Sequence, residues 1–138
     1  MKAENPEQKA GYESVRQDFE VKYRFLKPEE GGRRSGLPYQ NYRSDWLYEG
    51  DDISDGIYMI WPIFLDGNGN FIDAESQVPM EGTAQMYIVN EELRKSFHAK
   101  RLRPGVRGYF MEGPNRVAEA VVTRLLAISE DIQKTDAL

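Results

Sequence analysis

The sequence predicts an all-β fold, a small antiparallel β-barrel or sandwich, and three observations lead to this fold class. In the run from Phe19 to Phe25, apolar and polar or charged side chains alternate at every position, the period of a half-buried strand. Turn signals built from glycine, proline and asparagine recur roughly every ten residues. Little of the chain has helical periodicity. Its length of 138 residues is typical of one domain.

The composition argues against several kinds of chemistry. There is no cysteine, which excludes thiol nucleophiles, disulfides and cysteine-ligated metal sites, and fits a reducing compartment such as the cytoplasm. No window approaches the roughly 20 apolar residues of a membrane span, and the first residues lack the apolar core of a signal peptide, so we expect a soluble protein. The formal net charge of −5 argues against a generally basic nucleic-acid-binding surface.

The other predicted strands follow from local patterns. The "DWLY" segment before Glu49 reads as a short strand. The apolar run over residues 56–65 contains Pro62, which favours an edge strand because proline donates no ladder hydrogen bond. The sequence "DGNGN" at residues 66–70 predicts a hairpin turn, with "FIDAE" as the returning strand. A further strand is predicted over residues 83–89.

The last third of the chain contains one short predicted helix and one ambiguous run. Asn90 is a predicted helix N-cap, because two glutamates follow it in what would be the first turn. The run after "EGPN" fits a strand or a helix, since Val117, Val121 and Leu125 also recur at helical spacing. The turn before this run and its Val-Val-Thr content favour a strand.

Composition divides the chain into three segments. Residues 1–16 are polar and predict a flexible N-terminal arm. Residues 17–127 contain the predicted barrel. Residues 128–138 are mostly polar and predict a C-terminal tail.

Two candidate metal or catalytic features have competing interpretations. The loop at residues 66–70 offers oxygen ligands at alternate positions, but Phe71 and Gln77 stand where a calcium loop needs glycine and a bidentate glutamate, so a hairpin turn is favoured. His98 is the only histidine, and no nucleophile or carboxylate motif surrounds it. We therefore predict that His98 is a surface residue of the short helix.

A cluster of carboxylates precedes the apolar run. Asp51, Asp52 and Asp55 lie in the segment "EGDDISD", whose glycine and serine are typical of a solvated loop. The alternative is a hydrolase site in which these carboxylates hold a metal ion. The loop is the favoured interpretation.

The segment "EEGGRR", residues 29–34, lacks the pattern of a phosphate-binding loop. Its two glycines can expose backbone amides beside Arg33 and Arg34 and so contact a phosphate or a carboxylate, or they can simply turn the chain. Aromatic residues follow this segment: Tyr39, Tyr42, Trp46 and Tyr48. They fit either stacking on nucleotide bases or packing at the end of a barrel, and packing is favoured because the domain needs a core.

The stretch "FEVKYRFLKPEEGGRRSGLPYQNYRSDWLY" resembles the C-terminal β-barrel, the third domain, of translation elongation factor Tu. In that family a strand is followed by an "EGGR" turn, an irregular segment ending in "GYRP", and an aromatic strand. Residues 30–33 and 41–44 stand at these two motifs. The later segments "VPMEGTAQMYIV" and "RGYFMEGPNRVAEAVVTRLL" are similar to the family's next elements. Arg34 and Ser35 depart from it, because the family has His and Thr there.

The resemblance implies a non-enzymatic, stand-alone barrel without the GTPase domain, so we expect no GTP hydrolysis, no nucleotide cofactor and no metal. In the family this domain contacts the T stem of aminoacyl-tRNA and partner proteins. It implies binding of a protein partner or, alternatively, of tRNA or another structured RNA, and no membrane. Carried over by position, the expected partner-binding residues are Glu30, Gly31, Gly32, Arg33, Arg34, Ser35, Tyr42, Arg43, Glu112, Gly113 and Arg116.

Overall fold

Six strands dominate the computed structural model, which describes residues 15–136 and side chains up to Ile132. The strands are β1 (Phe19–Phe25), β2 (Asp45–Tyr48), β3 (Ile60–Leu65), β4 (Glu81–Ile88), β5 (Arg107–Glu112) and β6 (Asn115–Leu125). They form one antiparallel sheet in the order β2-β5-β6-β1-β4-β3. Residues 1–14, most of the predicted arm, lie outside the described residues.

Strand β1 lies in the middle of the sheet, between β6 and β4. Its alternate residues Phe19, Val21, Tyr23 and Phe25 are buried, as the sequence pattern predicts. These side chains meet aromatic rings from strands that are not adjacent to β1 in the sheet. The Tyr23 ring centroid, for example, lies 5.1 Å from that of Phe64 on β3 in an edge-to-face contact. An aromatic core on one face of a curled sheet is the consequence.

The two edges of the sheet meet at a single bridge. The Trp46 amide donates to the Tyr58 carbonyl at 2.8 Å, and the Tyr58 amide donates back to the Trp46 carbonyl at 2.9 Å. The Trp46 ring lies against Gly108, where an added Cβ would come within 2.2 Å of the indole. The all-β, barrel-like architecture is thereby confirmed, and so is the edge position of the strand that contains Pro62.

The ambiguous run after "EGPN" is strand β6, so the favoured interpretation is confirmed. Gly113 and Pro114 form the turn between β5 and β6, and Gly113 has a φ of 56°. This left-handed conformation suits glycine because it has no Cβ.

The returning strand predicted after residues 66–70 is not formed. Phe71 makes one isolated bridge with Leu65, and the ladder stops there. Gln40 is the physical reason, because its buried side-chain amide occupies the edge of β3: Oε1 accepts from the Phe64 amide and Nε2 donates to the Phe64 carbonyl, both at 2.8 Å. The turn itself is present, and Asp66 stabilises it by accepting hydrogen bonds from two amides within the loop.

Two helical elements complete the fold. The first, α1, consists of three consecutive segments, Glu91–Leu93, a π-helical Arg94–His98, and Ala99–Arg101. The Asn90 side chain accepts from the Leu93 amide at 2.9 Å, so the predicted N-cap is confirmed. The second helix, α2, spans Ile128–Asp136. Neither helix within residues 15–136 is long and apolar enough to cross a membrane.

Helix α2 corrects the predicted polar tail. Ile128 and Ile132 belong to the buried core cluster. Residues four apart lie on one face of a helix, so two isoleucines within a mostly polar segment are enough to attach it to the barrel. Arg94 on α1 also pairs with Asp131 on α2, which ties the two helices together.

Candidate partner-binding site

The connection between β1 and β2 begins with a tight turn, and we call its residues 27–37 the basic corner. The Lys27 carbonyl accepts from the Glu30 amide at 2.8 Å and from the Gly32 amide at 2.9 Å, while the Gly31 amide donates to Pro28. Both glycine amides are therefore used within the turn and are not exposed for a ligand. Gly32 is required for packing, because an added Cβ would lie 2.0 Å from the Leu26 carbonyl oxygen.

Glu30 stabilises this turn. Its two carboxylate oxygens accept from the Arg24 guanidinium at 3.0 and 3.1 Å, and one of them also accepts from the Lys27 amide. These hydrogen bonds, those from Arg24 above all, lower the pKa of Glu30 to about 2. The carboxylate is thus already paired at neutral pH.

Arg33 connects the basic corner to the β5–β6 hairpin. Its Nε lies 2.8 Å from Glu112 Oε2, its Nη1 donates to the Gly36 carbonyl at 2.9 Å, and its guanidinium lies 5.1 Å from the centroid of the Tyr42 ring. The Tyr42 hydroxyl donates to Glu112. Burial, together with this bond to Glu112, raises the pKa of Tyr42 above its usual value. Arg33 is therefore engaged within the protein.

Arg34 differs from its neighbour. It is exposed, and it makes no hydrogen bond, ion pair or ring contact with any side chain that the structure describes. It lines two clefts at the basic corner. An arginine that borders concave surface without an internal partner is available to a ligand.

The first cleft is apolar. It has a volume of about 270 Å³, and its walls are Phe25, Leu26, Lys27, Pro28, Arg33, Arg34, Gly36, Leu37 and Met80. None of the acidic side chains that the structure describes lines it. We call it the apolar cleft.

The second cleft has a volume of about 360 Å³ and is more polar. It is lined by Pro28, Gly31, Gly32, Arg33, Arg34, Glu112, Asn115 and Val117. It separates the basic corner from the β5–β6 hairpin, and the Arg33–Glu112 pair lies at its wall. The two clefts share Pro28, Arg33 and Arg34.

The structure brings together only part of the expected partner-binding set. Arg43 lies 4.5 Å from the centroid of the Trp61 ring, and Arg116 lies 4.2 Å from that of Tyr109. Neither of these arginines lines a cleft, and neither do Ser35 and Gly113. The remaining positions surround the two clefts or support them.

The apolar residues of the first cleft were not among the predicted site residues. Leu26, Leu37 and Met80 come from separate positions along the chain, and no pattern in the sequence marks them as parts of one site. The one available signal is Leu37, a large apolar residue placed between Gly36 and Pro38 in an irregular basic segment.

The carboxylates of the "EGDDISD" loop are largely engaged inside the protein. Asp51 accepts two hydrogen bonds from Arg101, at 2.8 and 2.7 Å, and Asp52 accepts from the Ser54 amide within its own turn. Within the part of the chain that the structure describes, no group of three acidic or histidine side chains is arranged to hold a metal ion.

The prediction that His98 is a surface residue is wrong. Its side chain is buried, and its Nδ1 lies 2.7 Å from the Tyr48 hydroxyl. The Tyr58 ring packs edge-to-face on the imidazole. Burial, with a smaller contribution from Arg101, lowers the pKa of His98 to about 4, so the ring is neutral at physiological pH.

The four aromatic residues that follow the basic corner in the sequence differ in how far they are buried. Trp46 and Tyr48 are core residues, and Tyr42 packs against the core. Only Tyr39 is substantially exposed, at 54%. Packing is therefore the role of three of the four.

No protein-family model matches this chain, and no curated protein sequence matches it.

Proposed function

We propose that this chain is a non-catalytic β-barrel binding domain, similar to the third domain of elongation factor Tu, that binds a protein partner at the basic corner. The observation that carries the proposal is the pair of clefts that meet at Arg34, an exposed arginine without an internal partner. Concave apolar surface with a few polar groups is what binding sites usually offer.

The basic corner favours protein over RNA. The apolar cleft suits an apolar side chain, which RNA does not carry. RNA also needs many cations along a surface, because phosphate neutralisation supplies most of its affinity. Arg33 is paired with Glu112, and the glycine amides are used in the turn, so the basic corner offers few free donors.

A capture experiment with matched charge reversals tests the proposal. The tagged chain, its Arg34→Glu variant and its Lys95→Glu variant are incubated with cell lysate, with and without ribonuclease. Lys95 is an exposed cation on α1 that lines neither cleft, so its reversal changes the net charge equally. We expect a ribonuclease-insensitive protein that is retained by the native chain and by Lys95→Glu and lost with Arg34→Glu.

Two other outcomes would count against the proposal. Retention that disappears with ribonuclease would favour the structured-RNA alternative. Equal retention of a protein by all three chains would mean that the partner binds at a surface other than the basic corner.

A further inference from the structure

The lining of the apolar cleft indicates which kind of ligand it binds. This inference rests on the proposed function and specifies the chemical class of the partner segment. Within the described part of the chain, the lining of the cleft includes the apolar side chains of Phe25, Leu37 and Met80, and the charged side chains that line it are Lys27, Arg33 and Arg34. The whole chain carries a net charge of −5, so this concentration of positive charge around apolar surface is local. A ligand that matches it is apolar at one point and negatively charged beside that point.

The size of the apolar cleft limits what fits. A dry cavity of about 150 Å³ accepts a benzene molecule, and drug-sized ligands occupy roughly 300–1,000 Å³. A cleft of about 270 Å³ therefore takes one large or two small apolar side chains. This volume suits part of a peptide.

Arg34 supplies the charged part of the site. Arg33 is held by Glu112, by the Gly36 carbonyl and against the Tyr42 ring, so it forms a fixed wall. Arg34 has no such partner and can present its guanidinium to a carboxylate in a bidentate pair. The geometry points to an acidic peptide segment, in which an Asp or Glu pairs with Arg34 and an adjacent apolar side chain enters the apolar cleft.

Selection from a phage-displayed library of short random peptides tests this inference. The full chain, Arg34→Glu and Lys95→Glu are immobilised separately and selected in parallel. We expect enrichment of peptides with Asp or Glu next to Leu, Ile, Met or Phe on the native chain and on Lys95→Glu. The same sequences should not be enriched on Arg34→Glu.

The affinity of one selected peptide then reports the contact directly. Charged hydrogen bonds of this kind correspond to a loss of about tenfold or more when one partner is removed. We expect Arg34→Ala and a Glu→Gln change in the peptide each to raise the dissociation constant by that factor. Combining them should add little, because both remove the same interaction.

The remaining outcomes separate this inference from the proposed function. Equal enrichment of the same peptides on the native chain and on Arg34→Glu would overturn the inference, and so would enrichment of peptides without acidic residues. In either case the chain would still be a peptide-binding domain. No enrichment, together with no retained protein in the capture experiment, would overturn both. A dimer in light scattering that Arg34→Glu abolishes would identify the occupant as a second copy and overturn the inference alone.

Discussion

Two adjacent arginines, Arg33 and Arg34, have different roles in the fold although their side chains are identical. Arg33 and Arg34 follow the same pair of glycines, and in sequence they are equivalent. In the fold Arg33 points to Glu112 on the β5–β6 hairpin, whereas Arg34 borders both clefts without an internal partner. The first therefore stabilises the site, and the second is the residue that we expect a partner to contact.

His98 makes stability depend on pH. Its pKa is about 4 in the folded protein and 6.5 in the reference state, so the unfolded chain binds the proton more readily. The resulting stability is complete above pH 6.5 and is lost as the pH falls towards 4, by at most about 3 kcal/mol. Urea unfolding at several pH values across this range measures the effect.

The matched variant for this prediction is His98→Gln. The glutamine amide can accept from the Tyr48 hydroxyl or donate to it, but it does not titrate. We expect the variant to be less stable than the native protein at neutral pH, because it loses ring contacts, and to show a flatter pH dependence. An unchanged slope would assign the titration to another group.

At the scale of elements, the side chain of Gln40 forms hydrogen bonds with the edge of β3 that a returning strand would otherwise form. Its side-chain oxygen accepts a hydrogen bond from the Phe64 amide. Its side-chain nitrogen donates to the carbonyl groups of Phe64 and Ile72, both at 2.8 Å. Gln40 satisfies backbone groups at the edge of β3, where the returning strand was expected. Covered edges also resist pairing with other molecules.

Replacing Gln40 with leucine removes this cover. The Phe64 amide and the Ile72 carbonyl lose their hydrogen bonds to the side chain, whereas the Phe64 carbonyl still accepts from the Ile72 amide at 3.1 Å. Each lost partner costs about 1–3 kcal/mol, so we expect a total of roughly 2–4 kcal/mol. Urea unfolding measures the change, and light scattering detects any association through the uncovered edge. The control is Gln77→Leu, at an exposed residue that donates one bond to Leu37, and it should cost less than about 1 kcal/mol.

Helix α2 provides the second prediction at this scale. Ile128 is fully buried in the core cluster, so Ile128→Ala should lower the free energy of unfolding by about 2–5 kcal/mol. Glu130→Ala, an exposed change on the same helix, should have little effect. Equal small effects of both changes in urea unfolding would mean that α2 does not contribute to the core.

At the scale of the whole molecule, the charge distribution determines how binding responds to salt. A net charge of −5 with one basic corner attracts an acidic ligand only locally. We expect the dissociation constant of a selected acidic peptide to rise less than about tenfold between roughly 50 and 200 mM salt. Proteins that make many phosphate contacts lose about 10³–10⁵ in affinity over that range.

Fluorescence anisotropy across this salt series checks the expectation. Lys95→Glu serves as the charge-matched control and should show the same salt dependence as the native chain. A loss of several hundredfold would mean that the peptide makes many charge contacts and would contradict a single pair with Arg34.

Elements with local signals could be predicted from the amino-acid sequence alone. The alternation in β1, the Asn90 cap, the edge position of the strand with Pro62 and the "EGPN" hairpin were all predictable, because period, capping and turn chemistry act within a few residues. The resemblance to a translation-factor barrel also comes from the sequence, and it stays a prediction.

Which side chains are buried or paired across the chain depends on the tertiary structure. His98 is buried because the fold brings it against Tyr48 and Tyr58, and Gln40 replaces a strand because it meets Phe64. The apolar cleft likewise combines residues from β1, the basic corner and Met80. Such contacts join residues that are distant in sequence, so no local pattern encodes them.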